Sequence, residues 1–175
     1  MIKRVVSVRI GPFARGQLLE ARKTREKVAQ PNVVVFMDFS PQNWHYLDFV
    51  IKNFGETPAY SIKLTLPPLE VVPWDNLITG EKVTSLYLPE SIVVLAPGQE
   101  WRTMWESGIR LQDYKNERKL AQQAPQLNRP VRPELQSVFV GRVDYFDRDN
   151  KPYNNPIYLD TKTFQNVMRV GEERA

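Results

Sequence analysis

From residue 31 onward, apolar and polar side chains alternate with the period of two that lines the two faces of a β-strand. Residues 33–37 are a continuous apolar run of strand length, and in 46–53 Leu47, Phe49 and Ile51 fall on one face with Asp48 and Lys52 on the other. Residues 59–66 alternate as well, which predicts Tyr60, Ile62, Leu64 and Leu66 inward and Ser61, Lys63 and Thr65 outward. Gly55 and Pro58 supply the reversal between these two segments. Pro67, Pro68 and Pro73 then confine the next piece to short, edge-like structure, because proline cannot donate to a ladder. Residues 83–88 and 92–95 read as two further strands, and Ala96-Pro97-Gly98-Gln99 as a type II turn leading into 100–105, where Trp101, Thr103 and Trp105 share a face. Residues 137–146 place Phe139, Val143 and Tyr145 on one face; 147–151 form a hairpin turn, 153–159 the return strand, and 161–167 a short terminal helix or coil. Seven to eight short strands without strand–helix alternation predict an all-β antiparallel sandwich.

Two segments depart from this texture. Residues 14–30 are rich in helix formers and stop at Pro31; Ala14, Leu18, Ala21 and Val28 follow helical spacing, with Arg25 interrupting the stripe. Such a face packs on a sheet edge, pairs with another copy or lies on lipid headgroups. Residues 109–134 are polar, with Pro125, Pro130 and Pro133 in their last part, and read as an inserted loop or helix. The chain thus divides into a basic helical arm (1–30), a sandwich (31–168) and a tail (169–175). Arg9 breaks the first apolar stretch, so no signal peptide is expected, and the runs 33–37 and 92–96 are far shorter than the ~18 residues of a membrane span.

Charge sharpens this division. The 175 residues carry a net +4. Residues 1–30 hold eight basic against two acidic side chains and residues 110–132 six against two, which leaves the rest of the chain at −6. Two basic segments on an acidic body suit an anionic partner, although lysine and arginine also serve simply to keep a segment solvated. Within the arm, Arg15, Arg22, Lys23, Arg25 and Lys27 have no aromatic residue among them, so base stacking is not expected. An anionic membrane surface, with Phe13, Leu18 and Leu19 as a shallow anchor, ranks above nucleic acid.

Candidate chemistry is mostly exclusion. Without cysteine there is no thiol nucleophile, cysteine-ligated zinc, iron–sulfur cluster or disulfide. The lone His45 rules out a multi-histidine metal site and, with no Gly-x-Ser-x-Gly elbow, reads as structural or surface-exposed. Asp144, Asp147 and Asp149 begin a calcium-loop pattern that fails where Lys151 stands for the third ligand. Glu100 and Glu106 are unspecific as a carboxylate pair, and nucleotide-binding glycine motifs are missing. No catalytic residue, metal or cofactor is assigned. Trp44, Trp101 and Trp105 suit either a ligand-stacking platform or core packing.

Residues 50–60 (Val-Ile-Lys-Asn-Phe-Gly-Glu-Thr-Pro-Ala-Tyr), followed by Leu95-Ala96-Pro97-Gly98-Gln99-Glu100, resemble bacterial immunoglobulin-like sandwich domains of the cell-adhesion-related type. Extended through Trp101–Trp105 and Pro156-Ile157-Tyr158-Leu159-Asp160, the similarity reaches uncharacterised proteins of actinobacteria and their phages over about residues 30–165. The resemblance implies that Asn53 and Gly55 shape a turn, that Pro97-Gly98 shapes a later one, and that the fold is immunoglobulin-like. It brings no catalytic residue. The expected function is a non-enzymatic protein-interaction or assembly module, phage or prophage encoded as the resemblance implies, whose basic arm docks on an anionic surface. The alternative is a small-ligand or carbohydrate-binding sandwich using exposed tryptophans. Oligomeric state is open, and soluble cytoplasmic, peripheral-membrane and virion-associated placements all stay open with it.

Overall fold

The computed structural model describes residues 16, 17, 19–21, 23, 24, 29–127 and 132–164. Among them nine strands form: β1 (Val33–Phe39), β2 (Tyr46–Asn53), β3 (Ala59–Thr65), β4 (Glu70–Asp75), β5 (Lys82–Ser85), β6 (Ile92–Leu95), β7 (Glu100–Ser107), β8 (Val138–Phe146) and β9 (Pro152–Asp160). They pair antiparallel into one sheet of order β1-β2-β7, a second of order β6-β3-β8-β9, and a separate β4-β5 hairpin. The fold is an all-β sandwich, as the alternation predicts. Between the sheets Val33, Val35, Phe49 and Ile51 meet Ile62, Leu95, Phe139, Val143, Ile157 and Leu159, all buried. Trp105 joins the two layers, with ring centroids 6.2 Å from Phe49 on β2 and 5.4 Å from Phe139 on β8.

One strand expectation holds and one needs correction. Residues 70–75 are short, edge-like structure as expected: β4 pairs only with β5, and Pro73 falls in the irregular stretch of that ladder between Glu70 and Trp74. In β3, Tyr60 opposes Phe146 and Lys63 opposes Asp144, so Ser61 and Ile62 together face Tyr145 in a bulge, with Ser61 at φ 50°. The extra residue resets the alternation. Ala59 and Ile62 are buried and Leu64 and Leu66 pack against the core as expected, whereas Tyr60, before the bulge, is half-buried and does not join it.

The polar insertion is a 16-residue helix, Gly108–Gln123. The side chain of Ser107 caps it by accepting from Arg110 N–H, and Tyr114 and Ala121, seven residues apart on one face, are its buried residues. Tyr114 Oη donates to Pro133 O (2.9 Å), which ties the returning chain to the helix.

At the far end of β2, Asn53 is fully buried and uses its whole amide: Oδ1 accepts from Asn32 N–H (3.0 Å) and Gly55 N–H (2.9 Å), and Nδ2 donates to Thr57 O (2.8 Å) and Leu95 O (3.0 Å). A Cβ at position 55 would run into the backbone of Gln30 and Asn32, so only glycine fits. Gly98, at φ +74°, donates its N–H to Asn53 O (2.8 Å). Both turn motifs are therefore parts of one closure. On the outer face of the three-stranded sheet, Arg102 reaches Glu100 (2.9 Å), Asp48 (3.2 Å) and Asp38 (3.5 Å), one carboxylate from each strand.

Candidate functional site

A pocket of about 320 Å³ opens at the other end of the sandwich, where the long helix and the C-terminal turn Thr161–Phe164 cross the strand ends. Its apolar wall comes from Phe39, Leu47, Trp105, Leu111, Tyr114 and Phe164. Phe39 and Phe164 meet edge to face at 5.2 Å, and Trp105 Nε1 donates to Glu70 O (3.0 Å). Each piece is placed by backbone bonds: Gly108 N–H donates to His45 O (2.7 Å) and Thr161 N–H to Ser137 O (2.9 Å).

The polar groups in this wall are unequal. Each of its three carboxylates is engaged. Glu106 accepts from Val72 N–H (2.6 Å) and Ser107 N–H (2.8 Å), Glu70 accepts from Gln136 N–H (2.6 Å), and Glu134 pairs with Arg118 (3.1 Å). Burial pushes the Glu106 carboxyl above its ordinary value despite those two bonds and the nearby Arg110 charge. Lys115 and Lys162 also line the pocket, and neither forms an ion pair with any described residue. Burial, and then the Lys162 charge, push the Lys115 ammonium below its ordinary value. His45 Nδ1 is buried without a hydrogen-bond partner. Such a wall, apolar with a few convergent polar groups, is what a binding pocket of this size requires.

The expected site residues lie elsewhere. Of the arm cations only Lys23 is among the described residues, helical and exposed; Arg15, Arg22, Arg25 and Lys27 lie outside them. The tryptophans do not assemble into a platform. Trp105 is 3 % exposed and belongs to the core, Trp101 is half-buried with its ring 6.4 Å from Phe49, and Trp44 is exposed and stacked on His45 at 4.0 Å. Of the carboxylates singled out, Glu100 serves the Arg102 clamp and Glu106 the pocket, while Asp147 accepts from its own turn at Asp149 and Lys151. No group of three potential metal-ligating side chains occurs among the described residues, and no described helix is long and apolar enough to cross a membrane.

The β4-β5 hairpin carries the most exposed large apolar side chains of the described chain, Leu77 at 99 % and Ile78 at 94 %. A family model described as a domain of unknown function, DUF8453, matches residues 2–165. The chain belongs to that family. No curated protein matches it significantly. The DUF8453 match spans the sandwich, the pocket and the apolar hairpin alike.

Proposed function

We propose that this DUF8453 chain is a non-enzymatic protein-interaction or assembly module, an immunoglobulin-like sandwich that docks through its β4-β5 hairpin and carries a basic arm for an anionic partner. The observation that carries the reading is the nearly complete exposure of Leu77 and Ile78 on a hairpin that belongs to neither sheet. Two adjacent branched side chains in water cost about 1.5–3 kcal/mol each relative to burial, which a docking contact recovers. The division of the sandwich into three strands and four, with β2 to β3 and β6 to β7 crossing between sheets, supports the immunoglobulin-like reading. We place such a module in an assembled particle or at a cell surface, as the resemblance to proteins of actinobacteria and their phages implies.

Capture from the producing cells tests this. The wild-type chain is compared with Leu77→Asp/Ile78→Asp and with Arg22→Glu/Lys23→Glu/Arg25→Glu, all folded by circular dichroism. The hairpin variant is expected to lose the wild type's protein partner, and the arm variant to lose anionic lipid or nucleic acid. Retention of every partner by the hairpin variant removes the hairpin from the account. The pocket favours a second reading, small-ligand binding at the helix end rather than on tryptophans, because it is the described cavity with both apolar walls and uncommitted cations.

A further inference from the structure

The same chain bears an apolar knob and an apolar pocket, and the two match. The knob is preorganised. Asn76 Oδ1 accepts from Ile78 N–H (2.9 Å) and Thr79 N–H (3.3 Å), Gly80 N–H donates to Asn76 O (2.7 Å), and Asn76 N–H to Glu81 O (2.9 Å). Gly80 takes φ +71°, the left-handed conformation that this turn needs. Leu77 and Ile78 are thus held outward at little further entropic cost on binding. On either side of them Asp75 and Glu81 are exposed and form no ion pair with any described residue; exposed Lys82 stands opposite Asp75 in the ladder, which leaves the tip one net negative charge.

The pocket offers the complement. At roughly 30 Å³ for each water-sized group, its 320 Å³ has room for about ten such groups, enough for the side-chain carbons of one leucine and one isoleucine. Its carboxylates are already bonded, whereas Lys115 and Lys162 at its wall are not paired. An acidic-flanked apolar tip therefore meets a lysine-bordered apolar hollow. The knob cannot reach the pocket of its own molecule, since β4 begins at the pocket with Glu70 and runs extended to Asp75, about 17 Å away.

We infer that the hairpin tip, Leu77 and Ile78 with Asp75 and Glu81, seats in the pocket bordered by Lys115 and Lys162 on a second copy of this chain. The inference rests on the docking reading above and names the partner. Knob and pocket are different parts of one molecule, so the contact is either exchanged reciprocally across a twofold dimer or repeated head to tail in a ring or open chain.

Sedimentation velocity of the purified full chain, from about micromolar to near-millimolar concentration, tests it with two surface variants. Leu77→Asp/Ile78→Asp destroys the knob and leaves the pocket; Lys115→Glu/Lys162→Glu repels the knob and leaves its own hairpin intact. The wild type is expected to grow in mass with concentration, to a closed dimer if the contact is reciprocal and beyond it if the contact propagates. Each variant alone is expected to stay monomeric, at least tenfold weaker in self-association, and their equimolar mixture to form a heterodimer through its one intact knob and one intact pocket. Adding Asp75→Lys/Glu81→Lys to the pocket variant is expected to restore growth. A wild type that is monomeric throughout, a mixture that stays monomeric, or variants that associate as the wild type does would each overturn the inference. A monomeric wild type whose hairpin variant still loses its partner in cells would overturn the self-contact and leave the docking reading standing. A hairpin variant that keeps every partner would overturn both.

Discussion

At one end of β2 the amide of Asn53 is buried with all four of its hydrogen-bonding positions filled, while just beyond the other end the ring of His45 keeps a buried Nδ1 with none. The contrast extends to the surroundings. Around Asn53, turns from three segments converge and a glycine lets two backbones touch; around His45 the helix, two strand ends and the terminal turn leave a hollow of about 320 Å³. A closed polar network specifies one arrangement of the chain, because every alternative leaves a donor or acceptor dry. Thr57 Oγ1, beside Asn53, is likewise buried without a partner, so what sets the open end apart is the accessible volume next to its unsatisfied nitrogen.

The comparison breaks most visibly at Asn53. Asn53→Ala removes the partners of two backbone N–H groups and two carbonyls at once, and buried orphans cost about 1–3 kcal/mol each before relaxation. A loss of roughly 3–5 kcal/mol, a large share of the total stability of a domain of this size, is expected as a lower urea midpoint with an unchanged slope. Self-association per folded molecule is expected to be unaffected. A loss below about 1 kcal/mol would mean that the closure holds by the backbone bonds of Gly98 and Phe54 alone.

How much of each end was legible follows from the range of the interactions. The closed end was partly visible, because Gly55, Pro58 and Pro97-Gly98 are local turn chemistry and the resemblance added Asn53, and alternation put Phe49 with Ile51 and Phe139 with Val143 on the faces that form the core. The bulge at Ser61 was not visible, since nothing in a run of alternating residues marks where one extra residue enters a ladder. Alternation put Trp101 and Trp105 on one face, and both do reach Phe49, but it could not say whether that face met the second sheet or solvent. The long helix stayed open as a loop or a helix because of its polarity: it buries only Tyr114 and Ala121, too narrow a stripe to decide. The pocket was hidden most fully. Phe39, His45, Glu106, Lys115 and Phe164 meet only through long-range pairing. For the knob a signal did exist, since two large apolar residues in the turn Asn76-Leu77-Ile78-Thr79-Gly80 have no core-facing position to occupy.

Glu106 sharpens the comparison at the open end with a smaller effect. Its folded-state ionisation is displaced upward from 4.5 by burial, so the contribution tied to the protonated form is fully present below that value and is lost as pH rises through the displaced one. Glu106→Gln has no such titration, yet it sets an amide NH₂ against either Val72 N–H or Ser107 N–H. Its cost is expected to be about 1–3 kcal/mol at acid pH and to shrink as pH rises above 4.5. Urea midpoints of both chains across pH measure the difference; a gap that widens with pH would mean that the two backbone donors outweigh burial.

The smallest effect, and the one opposite in sign to Asn53→Ala, belongs to His45→Phe. The backbone of His45 is engaged, its N–H donating to Asn43 Oδ1 (3.0 Å) and its carbonyl accepting from Gly108 N–H (2.7 Å), and the substitution touches neither. What changes is the ring. A phenyl group keeps the 4.0 Å stack on Trp44, has the pocket beside it to take the added atom, and removes a buried nitrogen that has no partner. Replacing an unsatisfied polar atom by carbon is neutral or favourable, so the urea midpoint is expected to rise by the equivalent of 0 to about 1 kcal/mol. A fall of more than about 1 kcal/mol would show that Nδ1 is bonded in solution and that the open end is as closed as the one at Asn53.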